Sequence, residues 1–431
     1  MKLICFSNFR VTSVHKVHPT RKDPFDHPPW SIAQPPAKRF GPKLPQVNAI
    51  ANAMSKRLLK SRSISTMLWV TMAFVFTGTS CSSGFWQTDE LGMQHRQLEG
   101  SWRALTPTTG AEAWLAGSDG LWAHIQEKGN TTTLEIMHGA GVTVGDTVVP
   151  LHYRSLVVTG DAVLGMSIAS PAHIQRANIT EDGGLELPRV LAWTEADSAV
   201  FMDAMLHLGQ QCIIAMGDPT DGCLHVVRSE DDGRTWTRVA CADSIRPGVP
   251  AARSGEAAFA ASNGNLAAVG DTVWMLSGGG ASRVYRSTDR GISWQVFDTP
   301  LQQGGTMTGG FSMDFADAQH GIIWGGNWAA KDDQTQRGAV TQDGGQTWAL
   351  ISENAGPGYA SSVRYRPGSQ GRQLALVGSP GGLDLSDDGG QSWRHVSDSA
   401  FYAARFSPDG QTLWLAGNGK IGRISSDNLG W

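Results

Sequence analysis

Seven short apolar runs that end in glycine recur along the chain, at 113–117, 162–165, 213–217, 273–278, 322–326, 374–378 and 413–417. A second short segment precedes each of them, at 102–105, 153–156, 201–204, 258–261, 311–315, 362–365 and 401–406. Near-continuous apolar runs of this length predict strands that are buried on both faces. Recurrence of the same strand pair along a chain indicates a repeat architecture.

A polar motif, Ser/Thr-x-Asp-x-Gly-x-Ser/Thr-Trp, recurs in phase with the apolar runs. Its Asp and Trp residues are Asp231 and Trp236, Asp289 and Trp294, Asp343 and Trp348, and Asp388 and Trp393. The segment 180–184 is a worn copy with Leu187 in place of Trp, and 118–120 is a shorter trace. In such a motif the carboxylate accepts hydrogen bonds from its own turn, Gly supplies a positive φ, and Trp packs between sheets.

The spacing of this motif predicts the architecture. Asp positions 182, 231, 289, 343 and 388 are 49, 58, 54 and 45 residues apart, the length of a four-stranded unit with variable loops. We therefore expect an all-β protein, a seven-bladed β-propeller of four-stranded antiparallel blades. The last blade lacks a clear outer strand, and we expect residues just after the lipid tether to supply it, closing the ring and removing the open edge.

The first part of the chain does not resemble the rest. Residues 1–53 are Pro-rich and basic, and we expect either a disordered arm or translation that starts at Met54. Residues 54–81 have the basic region and short apolar core of a signal peptide, and the core is too short to span a bilayer. Small residues before Cys81 favour lipidation of that cysteine, while ordinary cleavage nearby is the alternative. Residues 82–98 then form a tether and 99–431 the propeller.

The net charge bears on the class of partner, and the cysteine positions indicate whether a disulfide can form. The formal net charge is −4 with a pI of about 6.3, so no basic surface for nucleic acid is expected. In a hairpin centred on Asp232, the numbers of two residues that face each other add up to 464. Cys223 and Cys241 meet this condition, so we expect them to face each other within reach of a disulfide. An exported protein would keep that disulfide oxidised and leave Cys212 as a buried thiol. The alternative is three buried cysteines that act as small hydrophobic residues.

Several further segments carry a family resemblance. They are 217–223, 255–263, 282–284, 312–315, 357–359 and 399–402. Together with the Asp motif, which resembles the Asp-box (BNR repeat) of the sialidase-like superfamily, they resemble bacterial exported propellers related to the photosystem II stability/assembly factor family. The resemblance covers about residues 99–428. It implies an assembly factor rather than an enzyme, and no cofactor is expected because no dinucleotide or haem motif is present.

Polar residues predict where a ligand would bind. In a propeller, the connections between blades and between second and third strands open on one face, where we expect Asp218, Arg253, Glu256, Arg283, Asp314, Arg364 and Arg405 as ligand-binding candidates. Glu256, Asp203 and Tyr402 are the candidates for catalysis. The alternative is that Asp203 and Asp314 only form salt bridges with arginines in the channel. No metal site is expected, because no His pair has ligand spacing.

Two functions from different classes remain open at this stage. The first is a non-catalytic, envelope-anchored propeller that binds an envelope protein or an acidic glycan, as a monomer held to a bacterial membrane only by its lipid, facing the periplasm or the cell exterior. The second is a sialidase-like or other glycoside hydrolase acting on an acidic glycan. That enzyme would need two carboxyl groups about 5–10 Å apart in a solvent-filled pocket.

Overall fold

The computed structural model describes residues 86–431, except 130, 140, 145, 146, 354 and 380. This part of the chain consists of strands and turns, with 3₁₀ turns at Ser118–Gly120 and Ser426–Leu429. Within it, no helix has the length and apolar character to cross a bilayer. The predictions for residues 1–53 and for the signal segment with Cys81 lie outside the described residues.

Antiparallel sheets of four strands follow one another along the chain. After β1 (Gln87–Thr88), the first sheet contains β2 (Gln94–Thr109), β3 (Glu112–Gly117), β4 (Leu121–Lys128) and β5 (Thr131–His138). A small hairpin follows, β6 (Val142–Val144) and β7 (Thr147–Val149). The second sheet contains β8 (Tyr153–Val158), β9 (Ala162–Ser167), β10 (Ala172–Asn178) and β11 (Val190–Glu195). The third contains β12 (Met202–His207), β13 (Ile213–Thr220), β14 (Cys223–Ser229) and β15 (Thr237–Arg238).

The later sheets repeat this order with short additions. After β16 (Glu256–Ala257), the fourth sheet contains β17 (Leu266–Val269), β18 (Thr272–Leu276), β20 (Arg283–Ser287) and β21 (Gln295–Asp298), with β19 (Gly278–Gly279) paired to β16. The fifth contains β22 (Thr308–Phe315), β23 (Gly321–Asn327), β24 (Gly338–Thr341) and β25 (Ala349–Leu350). The sixth contains β26 (Ser362–Tyr365), β27 (Leu374–Ser379), β28 (Gly382–Ser386) and β29 (Arg394–Ser397), and β30 (Ala403–Phe406) and β31 (Thr412–Ser425) follow.

The two ends of the described chain meet in one sheet. The Ser426 N–H donates to the Gln411 carbonyl oxygen (2.8 Å), so β31 bends back on itself. Its first half pairs with β30 and its second half pairs with Gln94–Gln97 of β2, which supply the outer strand of the last blade from within the predicted tether rather than after it. The rest of β2 is the inner strand of the first sheet. Pairing with β31 therefore begins at Gln94 and leaves β31 without a free edge, and pairing of β1 with β2 begins earlier, at Gln87; both lie inside the predicted tether 82–98.

Each complete Asp motif forms the same turn between the third and fourth strands of its sheet. Asp231 accepts hydrogen bonds from the Ser229 hydroxyl (2.8 Å) and the Thr235 N–H (2.8 Å), and the Trp236 indole N–H donates to the Gly233 carbonyl (3.1 Å). Gly233 has φ of 78°, which a residue with a Cβ rarely adopts. The turns at Asp289, Asp343 and Asp388 have the same bonds, including those of Trp294, Trp348 and Trp393.

These Asp turns mark one end of the sheets. The N–H of Asp232, the residue after Asp231, donates to Gln211 in the hairpin that joins the first two strands of the same sheet, and Gly344 donates in the same way to Gln319. The Asp182 segment also lies between third and fourth strands. The trace at 118–120 does not, because it joins the second strand to the third at the opposite end. Its interpretation as an Asp motif is therefore wrong.

Large aromatic side chains fill the spaces between neighbouring sheets. Trp274, on the second strand of the fourth sheet, is fully buried and stacks on Phe315 of the fifth sheet with ring centroids 3.7 Å apart. Its indole N–H donates to the Gly344 carbonyl oxygen (2.8 Å), in the Asp turn of the fifth sheet. Trp324 has an equivalent place at the next interface, where it meets Trp393. The repeated apolar runs thus supply the core between sheets.

The predicted cysteine pair is a disulfide, although the predicted register is wrong by one residue. Cys223 and Cys241 are bonded with a Cα–Cα distance of 5.7 Å, and Cys212 is a buried free thiol. In the hairpin, Val227 faces Arg238, so the numbers of facing residues add up to 465 rather than the predicted 464. Cys241 lies beyond the end of β15, next to Val249. The chain turns towards β14 there, and this turn brings the two sulfur atoms together.

Candidate functional site

A buried segment, 258–265, contacts the inner strands of the other sheets; we call it the central segment. The Asn263 amide oxygen accepts from the Ser155 hydroxyl (2.7 Å) and the Met205 N–H (2.9 Å), in the second and third sheets. Main-chain carbonyl oxygens of the central segment accept hydrogen bonds from residues of further sheets, namely Arg103, Met313, Arg364 and Arg405. The Ser262 hydroxyl donates to the Ser361 carbonyl oxygen. Since inner strands from all around the molecule converge on it, the central segment lies on the molecular axis.

The position of the central segment corrects the sequence analysis. Residues 258–261 were expected to form the inner strand of the fourth sheet, but that strand is β17, at Leu266–Val269. The run Ser262-Asn263-Gly264-Asn265 is the signal that distinguishes the two possibilities, because four small or polar residues do not continue a buried strand. The segment separates residues near the connecting loops from those near the Asp turns.

Glu256 and Arg283 form a buried ion pair on the side of the connecting loops. The side chain of Glu256 is 0% exposed, and its carboxylate accepts two hydrogen bonds from Arg283 (Nε 3.1 Å, Nη2 2.5 Å). It also accepts from the Ser277 hydroxyl (2.5 Å), the Tyr285 hydroxyl (3.0 Å) and the Arg253 N–H (2.8 Å). Five donors use the acceptor capacity of this carboxylate. Glu256 therefore joins β16 to the fourth sheet and has no lone pair directed at a ligand.

Asp203 and Asp218 lie close together below the same loops. Burial, together with the charge of Asp218, raises the pKa of Asp203 well above its usual value, although the Ala260 N–H favours the ionised form. Burial raises the pKa of Asp218 to about 7, despite a hydrogen bond from the Ala258 N–H (2.7 Å). Two buried carboxyl groups this close hold a proton at neutral pH. No arginine of the described residues pairs with Asp203, contrary to the salt bridge expected as one alternative.

Two other candidates on this side have local partners. Arg253 forms an exposed ion pair with Asp298 (2.7 Å). The Arg103 guanidinium lies 3.6 Å from the centre of the Tyr402 ring, a cation–π contact. The Tyr402 carbonyl accepts a hydrogen bond from the Ser361 hydroxyl (2.6 Å). Both residues thus help to hold the loops around the axis.

Asp314, Arg364 and Arg405 lie on the other side of the central segment. They line a cavity of about 360 Å³ whose other walls come from the ends of the inner strands, next to the hairpins that join first and second strands. Arg364 Nη1 is 3.8 Å from Asp314 Oδ1, and the Tyr365 N–H donates to Asp314 Oδ2 (2.8 Å). The structure therefore divides the predicted ligand-binding residues into two groups, and these three share a cavity.

Comparison with solved structures identifies the architecture. YCF48 bound to D1 peptide superposes with a TM-score of 0.53 at 16% identity, over 78% of this chain and 96% of that one. YCF48 from Cyanidioschyzon merolae gives a TM-score of 0.51 at 14% identity, over 78% and 99%. The U3-55K structure gives 0.51 at 14% identity, over 77% and 98%. The fold is a β-propeller.

Comparison of the sequence with family models gives one match, which covers part of the propeller. The model of the family described as Sortilin-Vps10 (Sortilin, neurotensin receptor 3) matches residues 224–365. No curated protein matches the sequence. The three structures described above are 14–16% identical to this chain, so they show the fold and leave the function to be argued from the residues.

The geometry limits the chemistry that the propeller can perform at the predicted sites. Glu256, the first catalytic candidate, is saturated with donors, and Asp203 is fully buried beneath the central segment. The ring of Tyr402, the third candidate, is covered by the Arg103 guanidinium. In the described part of the chain, no three His, Cys, Asp or Glu residues are grouped as metal ligands. A Tyr–Glu nucleophile pair with a separate acid is not assembled from these residues.

Proposed function

We propose that this chain is a non-catalytic, envelope-anchored assembly or binding propeller with seven blades and Asp-box turns, and that its partner is a protein. Seven blades are supported by the order of four-stranded sheets, with β30, both halves of β31 and the first part of β2 as the last blade. The Asp-box assignment is supported by the shared hydrogen bonds of the four Asp turns.

The observation that carries this proposal is the distribution of exposed apolar side chains. Six of the nine large apolar side chains that are exposed in the described residues fall between 136 and 191. Val148, Leu187, Val190 and Leu191 are 60%, 57%, 67% and 50% exposed, and Ile136 and Val149 complete the group, which we call the rim patch. Exposed apolar groups of this kind mark surfaces for proteins, because a glycan offers little apolar area to cover them.

Hydrogen bonds place the parts of the rim patch near one another. The Arg189 guanidinium, next to Val190, donates to the Gly120 and Met137 carbonyl oxygens (3.2 and 3.3 Å). The Gly139 N–H also donates to the Gly120 carbonyl (2.9 Å), and the Gly120 N–H donates to Leu151 (2.7 Å). The β6–β7 hairpin, which carries Val148 and Val149, lies between Gly139 and Leu151. The stretches of chain that carry Ile136, this hairpin and Val190 therefore all come close to Gly120.

The structural neighbours are consistent with this choice of partner. One of the solved structures is YCF48 bound to D1 peptide, so a propeller of this fold can bind a peptide. The glycosidase alternative lacks a comparable observation, because its candidate nucleophile Glu256 is bound to Arg283. We therefore propose a protein partner in preference to an acidic glycan.

The partner-binding proposal is tested with the double variant Leu187→Ser, Val190→Ser. We expect at least tenfold weaker capture of a reproducible envelope protein, because loss of two central apolar contacts removes binding energy of about 1–3 kcal/mol. The measurement is affinity capture from solubilised envelopes with quantitative mass spectrometry, with a glycan array in parallel. The matched control is Ile292→Ser, which removes a 52% exposed apolar side chain in the Asp289 turn and should leave capture unchanged. Undiminished capture by the double variant, or a defined acidic glycan bound by the wild type, would contradict the proposal.

Envelope anchoring through a lipid on Cys81 is the second part of the proposal. It is supported by the basic and apolar segments before Cys81 in the sequence. A diacyl anchor supplies two chains, which is enough for stable membrane attachment. We expect Cys81→Ser to lose incorporation of labelled palmitate and to leave the membrane fraction for the soluble one. Retention of label by the variant would show that the lipid, if present, is elsewhere.

A further inference from the structure

The cavity beside the central segment contains two guanidinium groups that face the same point. Arg364 Nη2 and Arg405 Nη2 both donate to the Asn263 carbonyl oxygen, at 3.4 and 2.6 Å. Their remaining bonds also go to neutral acceptors: Arg364 donates to the Met313 carbonyl, and Arg405 donates to the Ser262 and Ala404 carbonyls and the Ser362 hydroxyl. Two positive groups thus lie side by side, and among the described residues neither donates a hydrogen bond to a carboxylate.

The charge of the cavity lining is not balanced. The titratable residues that line it are Asp314, Arg364, Arg405 and His207. Burial lowers the pKa of His207, so this imidazole is neutral at pH 7. Two arginines and one aspartate leave a net charge of +1. The single carboxylate is also poorly placed for Arg405, since its recorded ion pair is the 3.8 Å contact with Arg364.

The arginines show the electrostatic effect of this imbalance. Burial and the neighbouring Arg364 lower the pKa of Arg405 well below its usual value, and only Asp314 opposes the effect. The Arg364 side chain is 8% exposed, and its Nε–H is a buried donor without a hydrogen-bond partner. Arg405 forms no ion pair among the described residues, and a buried guanidinium without one is costly for a folded protein. An anion in the cavity would neutralise the excess charge of the two guanidinium groups.

The shape and the other walls restrict the kind of anion. The cavity volume of about 360 Å³ is within the range of small-ligand sites. Leu105, Pro107, Val158 and Leu206 contribute apolar surface next to the arginines. A planar carboxylate matches the paired donors of guanidinium groups, and one negative charge balances the lining. A strongly hydrated dianion such as phosphate would reverse the imbalance and gain nothing from the apolar walls.

We propose that this cavity binds the carboxylate of a ligand with an apolar tail, held between Arg364 and Arg405 with the tail against the ends of the inner strands. Two sources share this chemistry, a free short-chain carboxylic acid and the C-terminal carboxylate of a peptide that ends in an apolar residue. The site is separate from the rim patch and does not depend on it.

Calorimetric titration of the full-length protein tests the proposal with three probes. They are hexanoate, a pentapeptide that ends in leucine with a free C-terminus, and the same peptide as its C-terminal amide. We expect saturable binding of at least one of the two acids and at least tenfold weaker binding of the amide. Binding of hexanoate alone would identify small acids as the source, and binding of the free-acid peptide alone would identify a chain terminus. No binding of either acid, or equal binding of acid and amide, would overturn the proposal.

Three variants locate the bound carboxylate. Arg405→Gln should weaken binding at least tenfold, whereas Asp314→Asn should strengthen it several-fold because the lining then carries +2. Val158→Trp, which fills the cavity without touching a charge, should abolish binding and covers the case in which Arg405→Gln does not fold. Arg372→Gln is the matched control, an exposed arginine in the hairpin between the first two strands of its sheet. Weaker binding in Asp314→Asn, or unchanged binding in Val158→Trp, would show that the ligand does not occupy this cavity.

Discussion

Glu256→Ala is expected to lower the free energy of unfolding by about 3–5 kcal/mol, the usual cost of removing one partner from a buried ion pair. The variant leaves the Arg283 guanidinium buried, with a side chain that is 6% exposed. It also removes the acceptor of the Ser277 and Tyr285 hydroxyls. The measurement is guanidinium-induced unfolding followed by circular dichroism.

The exposed pair of the same propeller provides a matched control. Arg253 and Asp298 are 53% and 67% exposed, so Asp298→Ala should cost no more than about 1 kcal/mol. The double variant Glu256→Leu, Arg283→Leu should be more stable than Glu256→Ala alone, because neither charge is left unpaired. If Glu256→Ala were as stable as the wild type, the carboxylate would not have the structural role described here, and a ligand-binding role would return to consideration.

Trp274→Ala is expected to cost about 3–5 kcal/mol, as for other large aromatic residues truncated in a core. The variant removes the stack on Phe315 and leaves the Gly344 carbonyl without its indole donor. Both contacts cross from the fourth sheet to the fifth, so the loss weakens an interface between blades rather than a single strand. The measurement is the same unfolding experiment, with the thermal midpoint as an independent readout.

Two comparisons test whether the interface is responsible. Trp274→Phe keeps an aromatic ring but not the N–H, and it should recover much of the loss. Trp328→Ala alters a partly exposed tryptophan in the connection between β23 and β24, and it should change stability by less than about 1 kcal/mol. A small effect of Trp274→Ala would mean that the blades are held together mainly by the main chain and by the closing strand.

Local patterns in the sequence were sufficient for the strands and the turns. An apolar run buried on both faces and a turn that needs Gly and Asp are determined by residues a few positions apart. The structure places the seven apolar runs and the four complete Asp turns as predicted, whereas 258–261 and 118–120 differ from the prediction. The closing contribution of Gln94–Gln97 could be inferred because a propeller must pair its last edge. The cysteine pair was predicted correctly even though its register was not, since the chain after β15 brings Cys241 back towards Cys223.

The candidate site was harder to predict because its residues are brought together across the whole chain. Sequence reasoning put Glu256, Arg283, Arg364 and Arg405 on one face. The run 262–265 signals that the central segment does not continue as a strand, but it does not show that the segment lies between these residues. The pairing of Glu256 with Arg283 joins two elements whose relative position depends on where 258–265 passes.

The sequence by itself determined that this protein is built from strands with Asp turns, because these features depend on short-range hydrogen bonding and on the periodicity of apolar side chains. The tertiary structure decided which charges are neutralised and which are not. Asn263 contacts strands of four other sheets, so its environment exists only when the chain closes around it. The same closure buries Arg364 and Arg405 beside a single carboxylate, and the electrostatic cost of that burial is the physical reason to expect an anion there.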